Sequence, residues 1–188
     1  MLQLILPEGE FFNDETEEFI VTKACVLKLE HSLISISKWE SRWKLSFLNT
    51  TEKTTNQSID YIRCMTLNPP EDDKVYLSIT NKQMELINAY IADDMTATWF
   101  KKELKTPGGI KGNIITSELI YYWMDSHQIS WEAQKWHLNR LMTLIKVHTV
   151  KAEEAEAKSK KKRTPANEIV TRNRALNEQR RQALGSKG

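Results

Sequence analysis

Hydrophobic and polar residues alternate at the start of the chain, which predicts β structure there. Leu2, Leu4 and Leu6 repeat at every second position, as on a strand with one buried face. The acidic stretch around Asn13 predicts a turn, and the run from 19 to 29, rich in Val, Ile and Thr, predicts the partner strand. Because a two-stranded ribbon is marginally stable alone, we expect it to pack on helices.

A helical period replaces this alternation over most of the remaining chain. Apolar residues at spacings of three and four predict helices. In the first of them Trp39 and Trp43 share a face, and before the third Thr80 and Gln83 have the spacing of a capping box. In the last helix we expect Trp131 to lie on the inward stripe. The predicted ranges are 32–43, 56–66, 81–92, 116–127 and 130–150.

Two stretches between the third and fourth helices favour other structures. Residues 96–100 are β-prone, and three glycines predict a loop over 105–113. The loop invites comparison with a phosphate-binding loop. It lacks the GxxxxGK[ST] spacing, however, and no strongly apolar strand leads into it. We therefore interpret it as a connector.

Large apolar and aromatic residues disappear beyond the last of these helices, in the stretch AEEAEAKSKKKR. Such a segment cannot bury enough surface to form a core, so we interpret 151–165 as a charged linker. Thr164 resembles a helix N-cap with Pro165 at the first helical position, which predicts a basic helix over 166–188. The predicted fold is α+β, with a mainly α-helical single domain over 1–150, a small N-terminal β ribbon and a basic C-terminal helical tail.

The charge is distributed unevenly between the predicted domain and the tail. Residues 158–188 have a balance of +8, whereas residues 1–157 have a balance of −6. A basic arm can neutralise nucleic-acid phosphates, but no aromatic residue in it could stack on bases, so we do not expect nucleic acid as the main partner. The arm could also dock on an acidic protein surface, including the chain's own body, or remain a solvated extension. The tail residues singled out for partner binding are Arg172, Arg174, Arg180 and Arg181.

The ionisable residues show no pattern typical of an active site. His137 and His148 lie about 16 Å apart along one predicted helix, and no carboxylate or thiol reaches the histidines at metal-ligand spacing. Cys25 lies in an apolar run that should raise its pKa, and we interpret it and Cys64 as buried free thiols. No serine lies in a GxSxG motif. We therefore expect no catalytic residue, metal or cofactor, and interpret the protein as non-enzymatic.

Composition points to a soluble protein that acts by binding. Apolar residues make up 40% of 188 residues, enough for one core, and no run approaches the roughly 18 apolar residues of a membrane helix. The first residues lack the basic start of a signal peptide, so we expect neither export nor membrane association. Core packing is the default interpretation of the six tryptophans. Trp39 and Trp43 are flanked by charged residues, however, and are candidates for a partner groove.

Six segments of the sequence, in order, resemble successive blocks of a protein family of long-tailed bacteriophages. The segments are SISKWESRWK, SIDYIRCMTL, DDMTATWF, ITSELIYYWM, EAQKWHLNRLMTLIKV and RNRALNEQRR. The likeness covers roughly residues 20–188. The family that these segments resemble is that of the phage tail assembly chaperones.

The resemblance implies a non-enzymatic role in tail morphogenesis, in the cytoplasm of the infected host cell. Proteins of this family bind the tape measure protein, keep it soluble and help tail tube subunits polymerise around it. They are then absent from the virion. The resemblance does not decide whether the chain associates with itself. Two alternatives remain, namely a structural component of the virion tail or head–tail region and a nucleic-acid-binding protein that acts through its basic tail.

Overall fold

A computed structural model describes residues 1–13, 18–98, 100, 114–162 and 166–185. The chain divides into two compact units, 1–147 and 148–188. The first unit holds the strands and most of the helices, whereas the described residues of the second are helical as far as residue 184. The α+β, mainly helical fold with an N-terminal β ribbon, predicted from the sequence, is confirmed.

The strands form two antiparallel ribbons. β1 (Leu2–Leu6) pairs with β4 (Cys25–Leu29), and β2 (Gly9–Asn13) pairs with β3 (Glu18–Thr22). The predicted strand over 19–29 is therefore divided into β3 and β4. β2 was not predicted, because its glycine, Glu10 and Asn13 are disfavoured in strands. Of the predicted turn, Asn13 ends β2, and the next residues lie outside the described part of the chain.

The two ribbons differ in how their faces are covered. Leu4, which pairs with Leu27, lies on a buried face of β1 and β4, and the next pair, Ile5 and Val26, is exposed. On the second ribbon, Phe12 and Phe19 pair across the strands with ring centroids 5.1 Å apart, and both are exposed. Thus the first ribbon contributes an apolar face to the core.

Helices follow the ribbons, and four of the predicted helices agree closely with the structure. Both α2 and α3 begin with a capping box, Thr54 with Gln57 and Thr80 with Gln83. These helices are α1 (Leu33–Trp43), α2 (Thr55–Met65), α3 (Asn81–Ala92) and α4 (Ser117–Ser126), with a 3-10 helix at Asp73–Ser78 between α2 and α3.

The predicted helix over 130–150 is wrong at its start. A 3-10 helix spans Trp131–Lys135, Trp136 is extended, and α5 runs over Leu138–Lys162. The chain leaves the helical path because it pairs with a distant segment: the Leu138 amide donates to the His31 carbonyl at 2.7 Å. Periodicity cannot show such a contact. Consequently Trp131, predicted inward, is 55% exposed and stacks on Tyr121.

The predicted linker over 151–165 is helical as far as α5 extends. Its side chains from 151 to 159 are exposed, in agreement with the expectation that this stretch forms no core. Ala, Glu and Lys favour helix without burial, and Lys151 pairs with Glu154 at 3.0 Å, one turn along. The composition thus indicates the exposure of this stretch but does not show that α5 continues through it.

The tail forms α6 (Ala166–Leu184), as predicted, and Gly185 follows it with a left-handed φ of 61°. Its described side chains, 169–185, are exposed. The proposed cap at Thr164 and Pro165 lies outside the described residues.

The remaining predictions between α3 and α4 concern a β-prone stretch and a glycine loop. The described residues 96–98 and 100 form no strand, and Met95 before them has a positive φ of 50°. The predicted loop over 105–113 lies outside the described residues. Within the part of the chain that the structure describes, no helix is long and apolar enough to cross a membrane.

Two histidines from distant parts of the sequence meet inside the first unit. The rings of His31 and His137 lie 5.0 Å apart, and both side chains are buried. His31 Nδ1 shares a hydrogen bond of 2.5 Å with the Tyr61 hydroxyl. Burial, reinforced by His137, lowers the pKa of His31 from 6.5 to about 3. His31 is therefore a neutral core residue at physiological pH.

A buried carboxylate connects α1 with two other segments. Glu40 accepts from the Phe47 amide at 2.9 Å through one oxygen and from the Ser117 amide at 2.7 Å through the other. Thr116, the N-cap residue of α4, makes no side-chain capping bond. Glu40 thus caps α4 from a distance, where the helix dipole also favours a negative charge.

Candidate partner-binding cleft

A cleft of about 360 Å³ lies between α2, α3 and the segment that connects α1 with α2. Its size is at the lower end of the range for ligand pockets, roughly 300 to 1,000 Å³. Most of its surface is contributed by apolar or aromatic side chains. These are Phe47, Tyr61, Ile62, Met84, Ile87 and Ile91.

Helical spacing explains why the two helices face the cleft with these side chains. On α3, Met84, Ile87 and Ile91 are three and four residues apart and therefore share one face. Ile87 is buried, whereas Met84 and Ile91 are partly exposed. On α2, Ile62 is buried as well. The cleft thus has a buried apolar floor and a partly exposed apolar rim.

The floor is fixed by aromatic packing and one hydrogen bond. The Phe47 ring lies 4.0 Å from the Tyr61 ring and 5.2 Å from the Trp39 ring, centroid to centroid. Burial raises the pKa of Tyr61 well above its usual range, and its hydroxyl is held by His31. Tyr61 therefore remains a neutral, fixed wall of the cleft rather than a titrating group.

Lys53 contributes a cation to this otherwise uncharged lining. Its ammonium lies 4.2 Å from the Phe47 ring centroid and 5.9 Å from that of Trp39, and it donates to the Thr50 carbonyl at 2.7 Å. Partial burial lowers the pKa of Lys53. Among the described residues that line the cleft, no other side chain carries a formal charge.

The structure places the two candidate tryptophans differently from the predicted groove. Trp39 is 0% exposed, and its indole N–H donates to the Gln57 carbonyl at 2.9 Å. This corrects the prediction, because the apolar stripe of α1 faces the core and leaves no Trp39 surface for a partner. Trp43 is partly exposed, and its indole N–H donates to Asp60, which also pairs with Arg42.

The four candidate arginines lie on α6 in the second unit and are exposed. They do not form one basic face. Arg174 and Arg181 are two turns apart and share a side of the helix, whereas Arg172 and Arg174 point about 160° apart. Glu178 lies one turn from Arg174 and dilutes the positive charge on that side. The geometry therefore favours a solvated basic helix over a shaped phosphate site.

Sequence reasoning found part of the cleft. Met84, Ile87 and Ile91 mark one apolar face of the helix predicted over 81–92, but their spacing does not show that this face lines a cleft. Phe47 and Lys53 were not singled out, because they lie outside the helices, where no period marks which side chains point inward. Their signal is weak: one aromatic residue and one of two lysines in the connector over 44–54.

The reactive side chains show no arrangement for chemistry within the described residues. No group of three or more His, Cys, Asp or Glu could hold a metal ion there. Both cysteines are free: Cys64 is buried, as predicted, whereas Cys25 is only partly buried. Burial raises the pKa of both thiols, which makes them poorer nucleophiles at neutral pH.

Comparisons with protein-family models, with curated proteins and with solved structures found no match.

Proposed function

We propose that the protein is a non-enzymatic assembly chaperone of a long-tailed phage and holds a helical segment of a client tail protein in the cleft between α2 and α3. The cleft is the observation that carries the proposal. The sequence resemblance implies the client: the tape measure protein, with the tail tube protein as a further partner. The same resemblance implies action in the cytoplasm of the infected host cell.

The shape of the cleft suits an amphipathic helix. Such a helix presents apolar anchors at spacings of three and four residues to a hydrophobic groove. The rim residues Met84 and Ile91 can contact the sides of an anchor, while Phe47 and Ile87 form the floor beneath it. Binding of this kind needs apolar surface and no positioned catalytic group. It shields an apolar stripe that would otherwise cause the client to aggregate.

Recovery of the client from phage-infected cells tests this proposal. We expect the tagged wild-type chain to recover the tape measure or tail tube protein. Met84→Lys introduces a charge at the rim of the cleft and should abolish recovery. The matched control is Leu86→Lys, which places the same charge on an exposed position of the same helix and should recover the client normally. Tryptophan fluorescence of both variants verifies that they fold.

A blot of purified virions separates this proposal from its main rival. A chaperone is absent from finished particles, whereas a structural component is abundant in them. Abundant chain in the virion would overturn the chaperone role. Equal client recovery by the Met84→Lys and Leu86→Lys variants would show that the cleft does not bind the client.

A further inference from the structure

Lys53 is the feature of the cleft that shape alone does not explain. Its ammonium has three N–H donors; Thr50 accepts one of them, and the ammonium also lies over the Phe47 ring. None of the described ion pairs involves Lys53. The Lys53 ammonium lies beside an apolar floor and has no carboxylate partner within the described residues. It can therefore bind an acidic side chain of a partner.

We propose that the segment bound in the cleft carries an Asp or Glu beside its apolar anchor, and that this carboxylate pairs with the Lys53 ammonium. This inference rests on the proposed function, since it names the chemistry of the client at the same site. In this arrangement Lys53 selects one amphipathic helix over another. The apolar residues of the cleft bind apolar anchors of many different sequences.

The distance between Lys53 and Phe47 suits a carboxylate one turn from the anchor. The ammonium lies 4.2 Å from the centre of the Phe47 ring, which forms part of the floor under the anchor. Side chains three or four residues apart on a helix have Cβ atoms about 5 to 6 Å apart. An anchor on Phe47 and an acidic residue one turn away therefore reach the floor and Lys53 together.

The energetic cost of partly burying the charged Lys53 ammonium also favours a carboxylate as its partner. Partial burial disfavours the charged ammonium, which lowers the pKa of Lys53. A carboxylate at hydrogen-bond distance compensates this cost, whereas a neutral or basic side chain does not. The net charge of −6 on residues 1–157 opposes an acidic client only weakly, because the Debye length is about 8 Å at physiological salt.

Selection from a peptide library tests the inference with the full-length protein. The probes are amphipathic helical peptides of about 18 residues, or five turns, with varied apolar anchors and Glu, Gln or Lys one turn from each anchor. With the wild-type chain, we expect Glu to be enriched about tenfold over Gln, as a charge-assisted hydrogen bond provides, and Lys to be depleted.

Three variants test whether Lys53 is the group that selects peptides with Glu. Lys53→Met should still enrich apolar anchors but lose the preference for Glu. Lys53→Arg keeps the charge and should keep the preference. Lys82→Met removes an exposed lysine from α3, outside the cleft, and should behave as the wild type.

The outcomes separate this inference from the function on which it rests. Enrichment of anchors without any preference for Glu overturns the role of Lys53 and leaves the cleft as the client site. A Glu preference that persists in Lys53→Met also overturns it. Failure to enrich any apolar anchor overturns the proposed function, and the inference with it.

Discussion

Glu40 stabilises the fold by accepting hydrogen bonds from two backbone amides. Glu40→Gln leaves a single side-chain oxygen to accept from two amides, those of Phe47 and Ser117, and turns an N–H₂ group toward one of them. Because a buried amide without a partner is costly, we expect a loss of about 1 to 3 kcal/mol in the free energy of unfolding. Urea denaturation followed by tryptophan fluorescence measures it.

The matched control for this change is Glu85→Gln, at an exposed position on α3. It should leave the free energy of unfolding within about 0.5 kcal/mol of the wild-type value. Equal stability of the Glu40→Gln and Glu85→Gln variants would show that the two amides find other acceptors.

His31 makes the stability of the first unit depend on pH. Its pKa is about 3 in the folded protein and 6.5 ordinarily, so the unfolded chain binds more protons between these values. The contribution of neutral His31 is present above pH 6.5 and is lost as the pH falls toward 3. Between pH 7.5 and pH 5 we expect it to decrease by about 2 kcal/mol.

Comparison with His31→Gln isolates this contribution from other titrating groups. Glutamine can bond the Tyr61 hydroxyl but does not titrate. The difference in free energy of unfolding between the wild type and this variant should therefore narrow as the pH falls. A difference that is constant between pH 7.5 and pH 5 would contradict the buried, neutral state of His31.

At the scale of elements, α5 contains one part that stabilises the core and another that does not. Ile145 is 0% exposed, whereas Ala155 lies in the exposed part of the same helix. Ile145→Ala should lower the free energy of unfolding by about 2 to 5 kcal/mol, because it leaves a cavity. Ala155→Pro should decrease the helical circular-dichroism signal. It should leave the midpoint of the unfolding transition measured by tryptophan fluorescence unchanged.

Tryptophan fluorescence reports the core in this comparison because all six tryptophans lie within residues 1–147. If Ala155→Pro shifts the fluorescence midpoint as much as Ile145→Ala does, the exposed part of α5 contributes to the core after all.

The sequence predicted helices correctly where contacts between residues close in sequence determine them. The helix over 81–92 was found from its capping box and apolar stripe, and both are present in α3. The start of α5 was predicted wrongly because the Leu138 amide donates a hydrogen bond to the His31 carbonyl. The two residues are more than one hundred positions apart in the sequence. The cleft follows the same rule: its α3 face was visible as a stripe, whereas the approach of Phe47 and Lys53 depends on tertiary packing.

At the scale of the whole molecule, the basic tail should produce only weak nucleic-acid binding. The arginines of α6 point in several directions, and residues 158–188 contain no aromatic side chain. We expect sequence-independent binding to duplex DNA with a Kd of about 10⁻⁴ to 10⁻⁶ M at physiological salt, and a steep loss of affinity as salt rises.

Fluorescence anisotropy with duplexes of two different sequences measures this affinity. A chain ending at residue 157 should not bind either duplex, because its balance of charge is −6. Nanomolar binding at physiological salt, or a preference for one duplex, would favour the nucleic-acid-binding alternative over a chaperone.

The hydrogen bond from the Leu138 amide to the His31 carbonyl has a consequence for biosynthesis. Ribosomes add about 5 to 20 residues per second, so the segment that closes over His31 emerges roughly 5 to 20 s after it. Until then the newly made α1 lacks part of its covering, and the growing polypeptide is vulnerable to proteases. Pulse proteolysis of ribosome-arrested nascent chains should therefore show resistance only in chains long enough to expose α5 as far as Ile145.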